Sequence, residues 1–427
     1  MSNCAIVGIN WGDEGKGRMV DLIASDYDIV CRYQGGNNAG HTIVNEYGKF
    51  ALHLIPSGIC LPGVVNVLGN GVVIDLESLC GEIETLQKAG VSVTPENFKI
   101  SERATIVFPY HRALDGLEEA RLKDKKYGST LRGIAPVYSD KYQKKTIMMG
   151  ELLYPKYLEK RLASILEWKN LTIQNVYGAE AYKLEDMLAW CQEFGSKLAP
   201  YICDTSKYLY EAEKAGKNIM FEAQLGALRD IDYGIYPYTS SSNTIGAYAP
   251  IGAGIPGRKL DLSIGIMKAY SSCVGDGPFT AELAMTEPEK DVLREHGHEY
   301  GAATGRPRRV GPFDAVASRY GVRCQGADEL ALTLLDVLDY MEEVPVVTHY
   351  RLTDGTVTDR FPMGKTLDDA QPVVEKLPGW HTDISGIRRF EDLPAEAQNY
   401  VLTLEKLVGC PIKYISVGPE RDAYIER

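Results

Sequence analysis

One stretch near the N-terminus, residues 4–21, constrains the fold of this chain more than any other. Residues 4–9 form a short apolar run, which predicts a buried strand. A turn with glycine at positions 12, 15 and 17 follows, and from about Lys16 the apolar residues have helical spacing. A strand, a glycine-rich turn and a helix N-terminus together offer free backbone N–H groups and the positive end of the helix dipole to an anion.

Charged residues inside this turn indicate a phosphate ligand with a base or a metal ion beside it. Lys16 adds a positive charge, whereas Asp13 would repel phosphate and instead suits a metal ligand or a base. The turn departs from the standard phosphate-loop pattern, because Asn10 replaces the first Gly and Gly17 replaces the Ser or Thr that binds Mg²⁺. Asp13 could supply that missing ligand. An ordinary strand-to-helix turn is the alternative for the glycines alone.

Composition limits the classes of partner. The 427 residues carry a formal net charge of −12, which argues against a nucleic-acid or anionic-membrane surface and requires a local positive pocket for an anionic substrate. The nine cysteines include no C-x-x-C pair, which favours a reducing compartment over disulfides or structural zinc. We expect a cytoplasmic protein, because the sequence has neither a signal-peptide pattern nor an apolar run of membrane-spanning length.

Strands followed by polar loops recur along the chain and predict a large, mostly parallel α/β sheet flanked by helices. Further strands are predicted at residues 29–33, 50–55, 64–68, 218–222, 344–350 and 412–417, and residues 260–270 are either a strand or a buried helix. Helices are predicted at residues 76–89, 152–167 and 184–197, and residues 102–215 are predicted to form a mainly helical insert.

Three polar loops are candidate ligand sites, because open α/β sheets keep their ligands beyond the ends of their strands. Residues 34–42 combine glycines with Asn38 and His41. Residues 234–258 contain three consecutive serines starting at Ser240, which can cradle phosphate. Residues 301–309 are the densest basic stretch, and arginine binds carboxylate or phosphate with two parallel hydrogen bonds. A solvated surface loop is the alternative in each case.

Two long motifs carry a resemblance to a known family. They are residues 11–17, Trp-Gly-Asp-Glu-Gly-Lys-Gly, and residues 32–42, Arg-Tyr-Gln-Gly-Gly-Asn-Asn-Ala-Gly-His-Thr; shorter carriers are residues 53–58, 230–232, 305–308, and Ser416 with Gly418 and Pro419. With these motifs the chain resembles adenylosuccinate synthetases over nearly its whole length. Those ligases join L-aspartate to IMP and hydrolyse GTP to GDP and phosphate. The resemblance implies one α/β catalytic domain over residues 1–427, related to phosphate-loop proteins, that works as a cytoplasmic homodimer in AMP biosynthesis.

The resemblance also implies catalytic roles. Asp13 would take the N1 proton of IMP and, with the carbonyl of Gly40, ligate one Mg²⁺ per subunit. The O6 atom of IMP would then attack the γ-phosphate of GTP and give a 6-phosphoryl intermediate. Lys16 would hold phosphate, and His41 would donate a proton at the bridging oxygen. Aspartate would finally displace phosphate from C6.

The binding residues follow from the same resemblance. The GTP-binding set is Gly12, Asp13, Glu14, Gly15, Lys16, Gly17, Arg18, Gly40, His41, Thr42, Arg308, Leu334, Asp336, Ser416 and Gly418. The IMP-binding set is Asp13, Lys16, Asn38, Ala39, Gly40, His41, Thr130, Lys144, Gln224, Ser240 and Arg306, with Lys144 reaching the site of the neighbouring subunit. The aspartate-binding set is Ala302, Ala303, Thr304, Gly305, Arg306 and Arg308.

Several positions depart from the family pattern. The guanine motif Thr-Lys-x-Asp reads Thr-Leu-Leu-Asp at residues 333–336, which keeps Asp336 but puts Leu334 in place of the lysine. The other departures are Leu131 for a glycine, Lys144 for an arginine, Ser240 for a threonine, and an IMP-binding glutamine that is either shifted to Gln224 or lost to Leu225.

These departures leave two alternatives open. One is an aspartate ligase of the same family that uses a guanine-type purine or takes ATP as donor, which Leu131, Leu225 and Leu334 would explain. The other is a non-catalytic purine-nucleotide sensor. Retention of Asp13 and His41 argues against the sensor, because a binding protein needs neither a base nor an acid.

Overall fold

The computed structural model describes residues 2–38, 40–45, 47–125, 127–300 and 307–427. Its strands are β1 (Asn3–Gly8), β2 (Ile29–Arg32), β3 (His41–Asn45), β4 (Gly48–Leu52), β5 (Val65–Leu68), β6 (Val73–Ile74), β7 (Phe98–Ser101), β8 (Thr105–Ile106), β9 (Ile202–Cys203), β10 (Ile219–Glu222), β11 (Leu262–Lys268), β12 (Ser271–Cys273), β13 (Arg309–Gly311), β14 (Phe313–Asp314), β15 (Glu329–Thr333), β16 (Glu343–Arg351), β17 (Val357–Thr358), β18 (Gln371–Pro378), β19 (Ile412–Ser416) and β20 (Tyr424–Glu426).

The α-helices lie mainly between these strands. They are α1 (Lys16–Ile23), α2 (Leu76–Lys88), α3 (Pro109–Leu122), α4 (Ile134–Tyr142), α5 (Pro155–Asn175), α6 (Leu184–Trp190), α7 (Ser196–Leu198), α8 (Thr205–Lys214), α9 (Ala249–Ala253), α10 (Glu287–Gly297), α11 (Ala315–Gln325), α12 (Lys365–Asp368) and α13 (Ala395–Val408). None of the helices in the described residues combines the length and apolarity that crossing a membrane requires.

A ten-stranded sheet forms the centre of the described chain, in the order β20-β19-β15-β11-β1-β10-β2-β5-β7-β9. Every neighbouring pair in it is parallel except β19 with β20. The prediction of a large, mostly parallel sheet with flanking helices is confirmed. Because the strands are parallel, β1, β2, β10, β11, β15 and β19 all end at one edge, and the loops that follow them meet there.

Strand β1 lies in the middle of this sheet, and all of its residues are buried. It pairs with β10 on one side and with β11 on the other. Residues 260–270, for which the sequence allowed a strand or a buried helix, contain β11, which pairs with β1 and β15. Residues 50–55 are not a strand throughout, since β4 ends at Leu52.

Close backbone approach fixes the turn after β1 against α11. A β-carbon placed on Gly321 of α11 would lie 1.9 Å from the carbonyl oxygen of Ile9, so only glycine allows this contact. Gln325, at the end of the same helix, donates a hydrogen bond from Nε2 to the carbonyl oxygen of Gly8 at 2.9 Å. Helix α11 therefore packs directly against the loop that follows β1 and holds it in place.

Candidate active site

The turn after β1 is shaped by glycines in left-handed conformations. Gly12 and Gly15 have φ angles of 104° and 95°, which glycine adopts without steric strain. Gly15 is also the N-cap of α1, so the free N–H groups of the first helical turn follow it directly. This backbone has the geometry of an anion site at a helix N-terminus.

Glu14 folds into the turn and pairs with Lys16. Its Oε1 atom accepts hydrogen bonds from the backbone N–H groups of Asn10 (3.1 Å) and Gly12 (2.7 Å), and its Oε2 atom lies 2.7 Å from Lys16 Nζ. Both charged side chains are buried. Glu14 therefore braces the turn from inside and orients the lysine, a role that the sequence did not indicate.

Asp13 is the more accessible of the two carboxylates in the turn. Its φ angle of 61° is left-handed, and its side chain is 31% exposed, whereas Glu14 is buried. Its Oδ2 atom lies 3.2 Å from Nη2 of Arg308. The structure thus brings together Asp13 and Arg308, two residues that the sequence assigned to one site from opposite ends of the chain.

Arg308 is held by a buried acidic network. Its Nη1 atom lies 2.8 Å from Glu299 Oε2, and Glu299 Oε1 lies 2.6 Å from both Lys268 Nζ and the hydroxyl of Tyr270. Burial alone would raise the pKa of Glu299, but Lys268 and Arg308 hold it below its ordinary value. Glu299 is therefore a carboxylate that fixes the guanidinium of Arg308. Sequence reasoning missed it.

His41 lies beside the first turn of α1. A β-carbon on Gly17 would lie 2.8 Å from the β-carbon of His41, so the close approach depends on glycine. The Nδ1 atom of His41 contacts Glu222 Oε1 and lies 2.7 Å from Nη2 of Arg32. Burial, together with the charge of Arg32, lowers the pKa of His41 to about 4. Glu222 and Arg32 are functional candidates to which the sequence had assigned no role, although Arg32 opens the motif at residues 32–42.

The ends of β15 and β19 provide polar groups on the other side of α1. Arg18 Nη1 donates to the hydroxyl of Ser416 at 2.8 Å, and the hydroxyl of Thr333 donates to the carbonyl oxygen of Glu14 at 2.8 Å. The Oδ1 atom of Asp336 is buried and has no hydrogen-bond partner in the described residues. An unpaired buried carboxylate oxygen is costly, so a ligand that donates hydrogen bonds would be favoured there. Gly418 follows Ser416, whose hydroxyl lies 3.4 Å from the carbonyl oxygen of Gly418.

The serine-rich loop is held by one buried carboxylate. Asp230 accepts hydrogen bonds from the backbone N–H groups of residues 232, 233, 244 and 245, and burial raises its pKa. The hydroxyl of Ser240 lies 3.1 Å from that of Ser242, which donates to Gln34 Oε1 at 2.8 Å. This loop is therefore ordered and tied to residues 34–38.

Gln224 lies beneath the 34–38 loop. Its Nε2 atom donates to the carbonyl oxygens of Gly36 at 2.7 Å and His53 at 3.0 Å, and the residue is fully buried. Asn38 lies in the same loop and accepts from the N–H of Gly36 at 3.2 Å. Leu225 has a left-handed φ angle of 60° and packs near Gly12. Gln224 thus holds the loop by hydrogen bonds to its backbone. The contact with IMP that the sequence predicted for Gln224 stays a prediction.

Thr130 lies in the loop before α4, and Lys144 follows the end of that helix. Both side chains are exposed. Ser129 Oγ donates to Asp115 Oδ1 at 2.6 Å, and the N–H of Gly133 donates to Asp115 Oδ2 at 2.8 Å, so Asp115 ties the loop before α4 to α3. Leu131, inside this loop, has a left-handed φ angle of 58°.

Part of the predicted site lies outside the described residues. This applies to Ala39, Ala302, Ala303, Thr304, Gly305 and Arg306. Gly40 is described and exposed, and Thr42 is described only as a residue of β3.

The comparisons with known proteins agree over the whole chain. A family model described as adenylosuccinate synthetase matches residues 5–425. A protein of that name from Heliobacterium modesticaldum is 45% identical over 427 residues and covers 100% of this chain and 99% of its own length. Another of that name, from Caldanaerobacter subterraneus, is 45% identical over 426 residues, with the same two coverages.

A solved structure extends this similarity to three dimensions. The fully ligated adenylosuccinate synthetase from Plasmodium falciparum is 35% identical to this chain and superimposes with a TM-score of 0.92. The match covers 99% of each chain, so the similarity includes the turn, the sheet edge and the loops described above.

Proposed function

This chain belongs to the adenylosuccinate synthetase family, and from that premise we propose a role for each of these residues in the reaction. It is a ligase that forms a C–N bond between L-aspartate and IMP at the expense of GTP, in AMP biosynthesis. No comparison favours the alternative purine, the ATP donor or the non-catalytic sensor. The observation that carries the proposal for the residues is that Asp13 is partly exposed beside Arg308, in the same turn as the buried Lys16.

Asp13 acts as the base that removes the N1 proton of IMP. Its carboxylate is fixed 3.2 Å from the guanidinium of Arg308, and a positioned carboxylate can serve as a general base. Its exposure lets a substrate reach it, whereas Glu14 is buried and occupied. Removing the proton makes O6 of the purine more nucleophilic toward the γ-phosphate.

Lys16 and the N–H groups at the start of α1 hold the phosphates. Phosphoryl transfer depends on positioning and on neutralising charge more than on covalent chemistry by the protein. His41 donates a proton or hydrogen bond at the oxygen that leaves the γ-phosphate. Burial keeps the pKa of His41 low in the free protein, and the negative charge of a bound triphosphate favours the protonated ring. The 6-phosphoryl group then leaves as aspartate attacks C6.

A magnesium ion fits the oxygen donors beside the turn. Asp13 offers a partly exposed carboxylate, of which Oδ2 lies 3.2 Å from Arg308, and Gly40 offers a carbonyl oxygen. Mg²⁺ prefers oxygen ligands and completes its shell with water and substrate phosphates. The described residues contain no cluster of three or more His, Cys, Asp or Glu side chains that could hold a metal, which suits an ion held largely by substrate. When bound, Mg²⁺ supplies charge neutralisation at the phosphates.

The guanine base of GTP binds between Asp336 and the end of β19. The unpartnered Oδ1 atom of Asp336 supports this, because guanine presents N1 and N2 hydrogens to a carboxylate, whereas adenine has no N1 hydrogen. Ser416, Gly418 and the backbone of Leu334 line the same end, with Arg18 anchored on Ser416 at 2.8 Å. The loss of the lysine at position 334 removes a contact over the base but leaves the hydrogen-bonding group.

Arg308 and residues 302–306 bind the carboxylates of aspartate, and Asn38, Ser240, Thr130 and Gln224 contribute to the IMP pocket. We also propose that the chain forms a homodimer in which Lys144 reaches the neighbouring IMP phosphate. The exposure of Tyr142 (76%) and Met148 (42%), on either side of Lys144, supports a partner surface there. A reducing, cytoplasmic location is supported by the nine free cysteines.

A donor and acceptor panel tests the proposal. The purified protein with Mg²⁺ is expected to release phosphate from GTP only when IMP and aspartate are both present. ATP in place of GTP, or GMP in place of IMP, should give little turnover. Turnover with GMP but not with IMP would contradict the substrate assignment, and equal turnover with ATP would contradict the role of Asp336.

A further inference from the structure

Glu222 is a buried carboxylate at the centre of the sheet edge. It is the last residue of β10, where it pairs in register with Ile6 of β1 on one side and Arg32 of β2 on the other. It is fully buried after the apolar residues 219–221. A buried charge is costly unless it is paired and hydrogen-bonded, so its presence here requires an explanation.

Both oxygens of Glu222 are occupied. Oε2 accepts from the N–H of Ser57 at 2.8 Å, and Oε1 accepts from the hydroxyl of Ser57 at 2.6 Å. Arg32 Nη2 lies 3.4 Å from Oε1. Burial opposes ionisation, but Arg32, His41 and Ser57 outweigh it and lower the pKa of Glu222 to about 2. The side chain is therefore an ionised acceptor held in one position.

The remaining contact of Oε1 is Nδ1 of His41. With Nδ1 facing Glu222 and Arg32 in the interior, Nε2 is the ring nitrogen on the opposite side of the imidazole. The ring also lies against the turn at Gly17, which limits its rotation. The orientation of the His41 ring is thus set by Glu222, Arg32 and the turn at Gly17.

We infer that Glu222 is a positioning residue for the ligase reaction: clamped by Ser57 and Arg32, it accepts the Nδ1–H of His41 and keeps Nε2 toward the phosphates, where Nε2 donates once the bound triphosphate has brought the ring to its protonated form. The inference rests on the proposed role of His41. An acceptor behind one imidazole nitrogen fixes both the tautomer and the direction of the other nitrogen. Arg32 cannot do this alone, because a guanidinium only donates and would select the opposite tautomer.

The test compares Glu222→Gln with Glu213→Gln. Glu213 is also buried and bonded, to Asn3 Nδ2 at 3.1 Å and to Arg258, but it lies on α8 away from the turn, so it controls for the loss of a buried carboxylate. We expect Glu222→Gln to lower kcat about 10- to 100-fold while KM for IMP, GTP and aspartate changes less than about threefold. Glu213→Gln should leave both constants unchanged.

A spectroscopic measurement separates positioning from structure. In protein with ¹⁵N-labelled histidine, the ring nitrogens of His41, assigned by the signals lost in His41→Asn, should report a proton on Nδ1 in the wild type. They should shift toward the Nε2–H form in Glu222→Gln, since Arg32 then donates to Nδ1. The ¹⁵N signals of His41 do not depend on turnover. They can therefore be measured even if the wild-type protein is inactive in the donor and acceptor panel.

An unchanged kcat in Glu222→Gln, or a lowered kcat with unchanged His41 signals, would overturn the inference. If Glu222→Gln does not fold, Ser57→Ala replaces it. That variant removes one of the two Ser57 hydrogen bonds to the carboxylate and keeps the contact with His41. It should show a smaller loss of kcat in the same direction, and an unchanged kcat there would also count against the clamp.

Discussion

Arg308 Nη2 and Asp13 Oδ2 lie 3.2 Å apart, although their residues are separated by most of the chain. The contact joins the turn after β1 to the basic loop that precedes β13. Arg308 is held from behind by Glu299, so its position does not depend on Asp13. The proposed base and a proposed aspartate ligand are therefore placed together before any substrate binds.

Asp13→Asn should abolish turnover while nucleotide binding persists. The amide keeps the shape of the side chain but cannot accept the N1 proton, and loss of a general base costs roughly 10²- to 10⁴-fold in rate. Measurement of phosphate release, with binding of GTP by calorimetry, separates the two effects. Asp232→Asn, just before the serine-rich loop, is a control that should remain active. Unchanged turnover in Asp13→Asn would rule out the assigned base.

Glu299→Gln should raise KM for aspartate about tenfold, with KM for IMP nearly unchanged. Without the charge of Glu299, the guanidinium of Arg308 loses a charge-assisted hydrogen bond that contributes about 1.5–3 kcal/mol. Steady-state kinetics with each substrate varied in turn measure this. Glu282→Gln is the matched control, because Glu282 pairs with the neighbouring Arg309. Equal effects of both variants would show that the loss is not specific to Arg308.

Leu131→Gly should stabilise the protein. Leu131 is 52% exposed and has a left-handed φ angle of 58°, so it gains little from packing and bears the strain of its β-carbon. That strain is about 1–2 kcal/mol, and the entropy cost of glycine offsets about half of it. We expect the free energy of unfolding in urea to rise by about 0.5–1 kcal/mol. Leu131→Ala keeps the β-carbon, so a rise of the same size in that variant would exclude backbone strain as the cause.

Asp314 should make the protein relatively more stable in mild acid. Burial, only partly offset by hydrogen bonds from Ala317 N–H and Tyr350, raises its pKa from 3.8 to about 6. Because the folded state binds this proton more tightly than the unfolded state, the contribution is fully present below the ordinary pKa and is lost as pH rises through about 6. In urea titrations, wild type should gain stability relative to Asp314→Asn as pH falls from 7 toward 4. A difference that is independent of pH would contradict the raised pKa.

The fold was largely predictable because its central unit is local in sequence. The apolar run, the glycines and the helical spacing from Lys16 lie within twenty residues and give β1, the turn and α1 as predicted. Local spacing could not decide whether residues 260–270 were strand or helix. That depended on pairing with β1 and β15, which are distant in sequence.

Site residues could be predicted where the residue type alone indicates the chemistry. They could not be predicted where neighbouring residues in the folded structure determine the role of the side chain. Asp13 and Glu14 are adjacent carboxylates, and only the left-handed backbone at Asp13 places one outside and one inside the turn. Glu222 stayed unnoticed because its partners come from three other segments of the chain. A charged residue closing an otherwise apolar buried strand was the one available signal.

The contact between Gly321 and the carbonyl oxygen of Ile9 has a consequence for how this sequence can diverge. With 1.9 Å available, not even a methyl group can be accepted at position 321 unless helix and turn separate, which would misplace Asp13 and Lys16. Exposed Leu131 and Lys144 meet no such barrier. Substrate preference can therefore be redesigned more readily at exposed positions such as these than at Gly321, where any side chain would displace the turn.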